Sequence, residues 1–114
     1  MNALVNRVQL IGLLGKDPEV KKLDNGRQMA KFSLATNETY KNAQGEKVTD
    51  TTWHNLIAWG KTADIIEKYV RKGDKICVEG KLVNRNYEDK DGKKHYVTEI
   101  EAREILMLGQ KKDE

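Results

Sequence analysis

Cysteine is nearly missing from this chain. Cys77 is the only one, which excludes an internal disulfide and a cysteine metal cluster. The two histidines, His54 and His95, lie far apart and suggest no metal site, and no cofactor is implied. No apolar run approaches the ~18 residues of a membrane span. The opening MNALVNRVQLIG is too short and too polar for a signal peptide. A cytoplasmic location without membrane contact follows by elimination. Internal repeats and low-complexity segments are also absent. So are a nucleophile elbow, a phosphate-binding loop, a cysteine–histidine pair and a close carboxylate set with a base, so no catalytic residues are assigned and an enzyme is disfavoured.

Hydrophobic residues make up 38% of the 114, low for a globular domain, yet they fall in clear alternating runs. One folded domain with a wet surface and long polar loops is expected. A chain this long buries roughly two thirds of its unfolded surface, enough for one core. The net charge of +3 does not by itself require a polyanionic partner. The placement of the bases carries more information.

VNRVQLIGLL (5–14) alternates loosely and reads as a strand, with Gly12 expected to mark a bulge. KDPEVKKLDNGRQ (16–28) holds the lone Pro18 and the turn pair Asn25-Gly26. MAKFSLATNETY is a second strand, KNAQGEKVTD a long polar loop, and TTWHNLIAWGK a third strand. Thr62 to Lys72 reads as a short helix. Ile66, Tyr69 and Val70 form its apolar face, Asp64 lies in its first turn, and Gly73 supplies its cap. KICVEGKLVNRNYE and HYVTEIEAREILML are the last two strands, joined by an Asp91-Gly92 hairpin turn. The order β-β-β-α-β-β predicts an all-β OB-fold: a five-stranded Greek-key barrel with one short helix between strands 3 and 4. An SH3-like barrel is the rival, disfavoured by strand length and helix position. The domain is expected over 1–109, with 110–114 a short polar end.

The third strand holds both tryptophans, Trp53 and Trp59. They share parity with Asn55 and Ile57, while His54, Leu56 and Ala58 point the other way. Tryptophans spaced this way usually pack in a core. Two features argue otherwise: Asn55 shares their face, and bases stand beside rings. Lys61 follows Trp59, Lys41 follows Tyr40, and Arg85 and Lys81 share a strand face with Tyr87. Exposed rings stack on unpaired bases, at about 1–3 kcal/mol each, without reading hydrogen-bond edges. Lys and Arg follow phosphates. A duplex hides its bases and gains nothing from such rings.

The segments VNRVQLIGLLGKDPEV, NGRQMAKFSLATNETY, TTWHNLIAWGKTADIIEKYVRKGDKICVEGKL and NRNYEDKDGKKHYVTEI together cover about Val5 to Leu108. In combination they resemble the bacterial single-stranded DNA-binding proteins of the homotetrameric kind. The resemblance implies an OB-fold, four copies per assembly, and DNA wrapped over the outside during replication, recombination and repair. It also implies a nucleoid-associated place in the cytoplasm. Carried over by position, the stacking rings are Tyr40, Trp53, Trp59 and Tyr87. The phosphate-contacting bases are Lys61, Lys72, Arg85 and Arg7. Lys72 has an equal claim to complementing the helix dipole. His54 falls at a subunit interface, Tyr69 in the helix core, and Tyr96 in the barrel or interface. Relatives commonly carry Trp where Tyr40 and Tyr87 stand, often Phe at Trp59, and frequently a base at Asn55 and Asn86. Alternating charge on an outer strand face accounts for Glu99 and Glu101. The linker and acidic tip through which relatives recruit replication and repair proteins are not seen in the last residues, so recruitment by that route is not expected. A protein-interaction adaptor on the same fold is the alternative function, and it requires the rings to be buried at a protein contact.

Overall fold

The computed structural model describes residues 3–109; the polar end expected at 110–114 lies outside them. After a short 3-10 turn, Ala3–Val5, come strands β1 (Val8–Leu14), β2 (Glu19–Lys22), β3 (Gln28–Lys41) and β4 (Lys47–Trp59). Helix α1 (Gly60–Tyr69) and strands β5 (Lys75–Glu88) and β6 (Lys94–Met107) follow. They form one sheet in the order β1-β5-β6-β4-β3-β2, which a further β1–β3 pairing closes into a barrel. The expected five-stranded barrel is therefore present, with its first strand in two pieces. β1 pairs with β5, and at Leu13 and Leu14 it crosses to β3. The chain then breaks around Gly15–Pro18 and resumes as β2 along β3. Proline has no N–H for a ladder, so it falls at the break. The EVKK stretch just beyond it, expected as part of a turn region, is strand.

Alternation places the core. Ala30, Phe32 and Leu34 of β3 share parity with Leu56 and Ala58 of β4, and all five are buried. Ile76 and Val78 of β5 with Ile100 and Ala102 of β6 continue the same layer. Ala63, Ile66 and Val70 plug one end of the barrel from the helix side. Burying an aliphatic side chain of this size contributes about 1.5–3 kcal/mol, and Leu34, Leu56, Ile66, Ile76, Val70 and Val78 are all fully buried.

The helix is shifted from its expected bounds. It starts on Gly60 and stops at Tyr69, where Val70 leaves with an extended backbone. Arg71 closes it instead of Gly73: its guanidinium donates to the carbonyls of Glu67 (2.7 Å) and Val70 (2.8 Å). Gly73, with φ 86°, serves the next turn, where the Asp74 N–H donates to the Arg71 carbonyl. Tyr69, expected in the core, is 61% exposed. It stands three residues after Ile66, but with the chain turning away at Val70 it points to solvent.

The supposed loop KNAQGEKVTD is mostly strand. β3 and β4 pair without interruption from Met29↔Trp59 out to Lys41↔Lys47. The turn is confined to Asn42–Glu46, where Asn42 Oδ1 accepts the N–H groups of Gln44 and Glu46. The polar composition suggests a loop because this part of the ribbon extends past the barrel and has no core face to advertise. β5 and β6 form a second long ribbon, turned at Asp89–Lys93.

Gly12 carries no bulge; its register against β5 is regular. A Cβ there would come within 2.3 Å of the Ala35 carbonyl oxygen, so the glycine permits the close crossing from β5 to β3. The irregularity sits between Glu79 and Gly80, opposite Glu104 and Ala102, leaving Arg103 as the extra residue of a bulge. Gly80 is the tighter site, since its Cβ would lie 2.0 Å from the Glu101 carbonyl oxygen. Backbone cannot yield as a side-chain tip does. Gly80→Ala is therefore expected to destabilise the fold by about 1–3 kcal/mol, measured as a lower urea midpoint with unchanged slope.

Candidate nucleic-acid interface

The face opposite the core is where the rings collect. On the β3–β4 ribbon the outward positions are Lys31, Ser33, Ala35 and Asn37, across from Ile57, Asn55, Trp53 and Thr51. β4 lies parallel to β6 through Leu56↔Ile100 and Ile57↔Glu101. The outward side of β4 therefore continues onto that of β6 and then β5. There the outward pairs are Lys81↔Glu101, Val83↔Glu99, Arg85↔Val97 and Tyr87↔His95. Trp53, Trp59, Arg85 and Tyr87 thus share one side of one sheet. Tyr40 does not: it shares parity with Val48, His54 and Leu34, on the ribbon's other side.

Trp53 is 59% exposed. The edge of its six-membered ring rests over Gly15, whose Cβ, if it had one, would be 2.7 Å from Cζ3. Glycine at the break between β1 and β2 lets the indole lie down against the barrel. Trp59 is half-buried, and the Arg27 guanidinium sits 5.2 Å from its ring centroid. Arg27 was not singled out from sequence. It lies just past the Asn25-Gly26 turn, and only the Met29↔Trp59 register brings it to the indole. Tyr40 and Tyr87 are about half exposed.

The expected bases are placed differently from one another. Lys61, in the first turn of α1, and Lys72, in the turn after it, are exposed. Lys72 lies three residues beyond the last helical residue, and its backbone N–H donates to Asp17 Oδ1 at 2.8 Å. Lys68 is the base in the helix's last turn. Arg7 faces Glu79, with Nε 3.5 Å from Oε2. Arg85 is bound on both prongs to Glu99: Nε to Oε1 and Nη2 to Oε2, each 3.0 Å. These hydrogen bonds, then the charge of Glu99, raise the guanidinium pKa above its ordinary value.

Glu99 is a correction. It is on the outward face, as alternation requires, but it is buried, not solvated. It lines a shallow depression with Lys16, Lys31, Ser33 and Asn55. Asn55 and Leu56 of the parallel neighbour β4 line the same depression, and Arg85 neutralises the carboxylate. A buried carboxylate needs such a partner.

His54 is half-buried and its Nε2 is 3.0 Å from the Thr36 hydroxyl. Tyr96 is 73% exposed, outside the barrel core, across from Asn86. Cys77 is a free thiol. Among the described residues, no group of three or more His, Cys, Asp or Glu side chains is placed to hold a metal ion.

A family model described as the single-strand binding protein family matches residues 5–108. The chain is 44% identical over 108 residues to single-stranded DNA-binding protein 1 of Chlorobaculum tepidum, covering 94% of this chain and 67% of that one. It is 43% identical over 112 residues to single-stranded DNA-binding protein 1 of Xylella fastidiosa, covering 97% and 82%. Among solved structures, a Plasmodium falciparum SSB complex with single-stranded DNA aligns with a TM-score of 0.83 at 33% identity. That alignment covers 91% of this chain and 95% of the other.

The Arg85–Glu99 pair generates a stability prediction. Arg85→Ala leaves Glu99 buried without its cation. Breaking a fully buried pair costs about 3–5 kcal/mol. Half of the Arg85 side chain is exposed, so water screens the pair and the expected loss is about 1–2 kcal/mol. Equilibrium denaturation of Arg85→Ala beside Lys61→Ala checks this, and only the former should lose stability.

Proposed function

The chain belongs to the single-strand binding protein family, and we propose that it binds and protects single-stranded DNA on the outward face of its sheet. The binding is sequence-independent, and its setting is replication, recombination and repair in a nucleoid-associated, cytoplasmic place. One observation carries the assignment of residues. The β4–β6 register sets Trp53, Trp59, Arg85 and Tyr87 on one side of a continuous sheet, away from the core. Trp53, Trp59 and Tyr87 stack on bases there, and Tyr40 does so from the other side of its ribbon. Lys61, Lys72, Arg7 and Arg85 meet phosphates. Arg85 keeps its Nη1 edge for that contact, since Glu99 engages only Nε and Nη2. Stacking accepts any base, because every base has a π-face. The role is binding, not catalysis. Among the described residues, no helix is long and apolar enough to cross a membrane.

Self-assembly into a homotetramer is part of the proposal. Two features support it. β1 pairs with β5 along one edge and with β3 only at its last two residues, leaving the edge along Val8–Ile11 without a strand neighbour among the described residues. Ile11, Cys77 and Leu106 lie side by side across β1, β5 and β6. Ile11, Leu13 and Leu106 are exposed. Exposed apolar surface beside an open edge favours association. His54 and Tyr96 are the residues assigned to contacts between copies.

Adding poly(dT) at low salt is expected to quench the tryptophan emission strongly. Trp53→Ala should weaken oligonucleotide binding by about 1–3 kcal/mol and leave the salt dependence unchanged. Lys61→Ala should instead flatten the slope of log K against log salt by about 0.7. Neither quenching nor a retarded gel band would favour the adaptor reading.

Light scattering at micromolar concentration is expected to give four times the 13.0 kDa chain mass. Leu106→Asp should lower that mass. A monomer for the unaltered chain would contradict the tetramer.

A further inference from the structure

Tyr87 is held by a relay of contacts that begins in the hairpin turn beyond it. Its cross-strand partner is His95. The two rings are stacked, with centroids 5.0 Å apart and planes inclined by 16°. His95 Nε2–H donates to Asp89 Oδ2 at 2.8 Å. The other carboxylate oxygen, Oδ1, accepts the N–H groups of Asp91 and Lys93, both at 2.9 Å. The turn closes around it, with the Asp89 N–H donating to the Lys93 carbonyl and the Gly92 N–H to the Asp89 carbonyl. The turn fixes the carboxylate, the carboxylate fixes the imidazole, and the imidazole lies on the phenol. The His95 hydrogen bond, followed by that from Lys93, holds the Asp89 carboxyl below its ordinary range, in keeping with a carboxylate committed to these partners.

We propose that His95 is a positioning residue for Tyr87. It covers one face of the phenol ring and sets its tilt, so that Tyr87 offers a single, prearranged face to one base. The inference rests on the DNA-binding reading and deepens it. A half-exposed tyrosine at the end of a two-stranded ribbon has no core to orient it. Left alone, its ring would sample rotamers and would be ordered only when DNA arrived, at an entropic cost to binding. With the imidazole already stacked, that ordering is done beforehand. Covering also settles stoichiometry at this ring: the face against His95 is closed to a second base.

A bland account competes with this one. His95 could stabilise only the turn, or touch DNA itself, with its stack on Tyr87 incidental. A double-mutant cycle separates them. Oligo(dT) binding is titrated by fluorescence at fixed salt with the full chain and with His95→Ala, Tyr87→Ala and the double variant. His95→Ala is expected to weaken binding about two- to tenfold, the range for loss of one aromatic pair. In the Tyr87→Ala background it should change nothing further. His95→Phe, which restores a stacked ring without the Asp89 bond, should recover most of the lost affinity and guards against a misfolded hairpin. An equal loss from His95→Ala with or without Tyr87 would overturn the proposal, as would no loss in the native background. If Tyr87→Ala has no effect while Trp53→Ala weakens binding, the positioning role falls and the DNA-binding reading stands. If neither weakens binding, the reading beneath it falls too.

Discussion

The structure depends on backbone register, first within the β3–β4 hairpin and then between β4 and the distant β6. A pleated strand sends successive side chains to opposite faces, so a shift of one residue exchanges everything buried for everything exposed. In the β3–β4 ladder Leu34 meets His54 and Ala35 meets Trp53. That register seals Phe32, Leu34 and Leu56 into the barrel and turns Trp53 out. The few β4–β6 pairs, Leu56↔Ile100 and Ile57↔Glu101, then decide that the outward side of one ribbon is also that of the other. The ring face is a consequence of this alignment.

The same alignment sets the electrostatics. A free carboxylate at the centre of the ring-bearing face would repel any anion. Glu99 occupies such a position, buried beside Asn55 and Lys31. Its charge is matched by Arg85 through two hydrogen bonds. A two-pronged guanidinium suits this task because its third nitrogen stays available for another acceptor. Lys could neutralise the carboxylate but could not span it and face outward at once. Asp89 shows the same economy at the hairpin tip, where one carboxylate serves both turn amides and an imidazole.

Glycines mark the places where elements must touch. Gly12 lets β1 cross onto β3, Gly80 lets β5 pass over the bulge of β6, and Gly15 leaves room for the Trp53 indole. Two of these serve closure of the barrel, and the third serves the surface built on it. The coil of the first strand and the lie of the tryptophan are thus fixed within four residues of chain.

Local pattern was enough for much of this. Alternation in MAKFSLATN and WHNLIAW, the turns at Asn25-Gly26 and Asp91-Gly92, and the spacing of Ile66 and Val70 determine strands, hairpins and a helix. Each depends on residues close in sequence. The separation of Trp53 from Leu56 by parity was equally legible. What the chain could not disclose by itself were contacts between residues far apart along it. The Arg27 cation over Trp59 and Glu99 buried beside Asn55 belong here. The stack of His95 on Tyr87 and the ladder out to Lys41 and Lys47 lie within hairpins, but polar residues without a core face leave no periodic signal for them. Tyr69 is exposed because the chain departs at Val70. Composition and periodicity choose which face of a strand is apolar. Only the assembled sheet, by setting register between distant strands, chooses which neighbour each outward side chain meets.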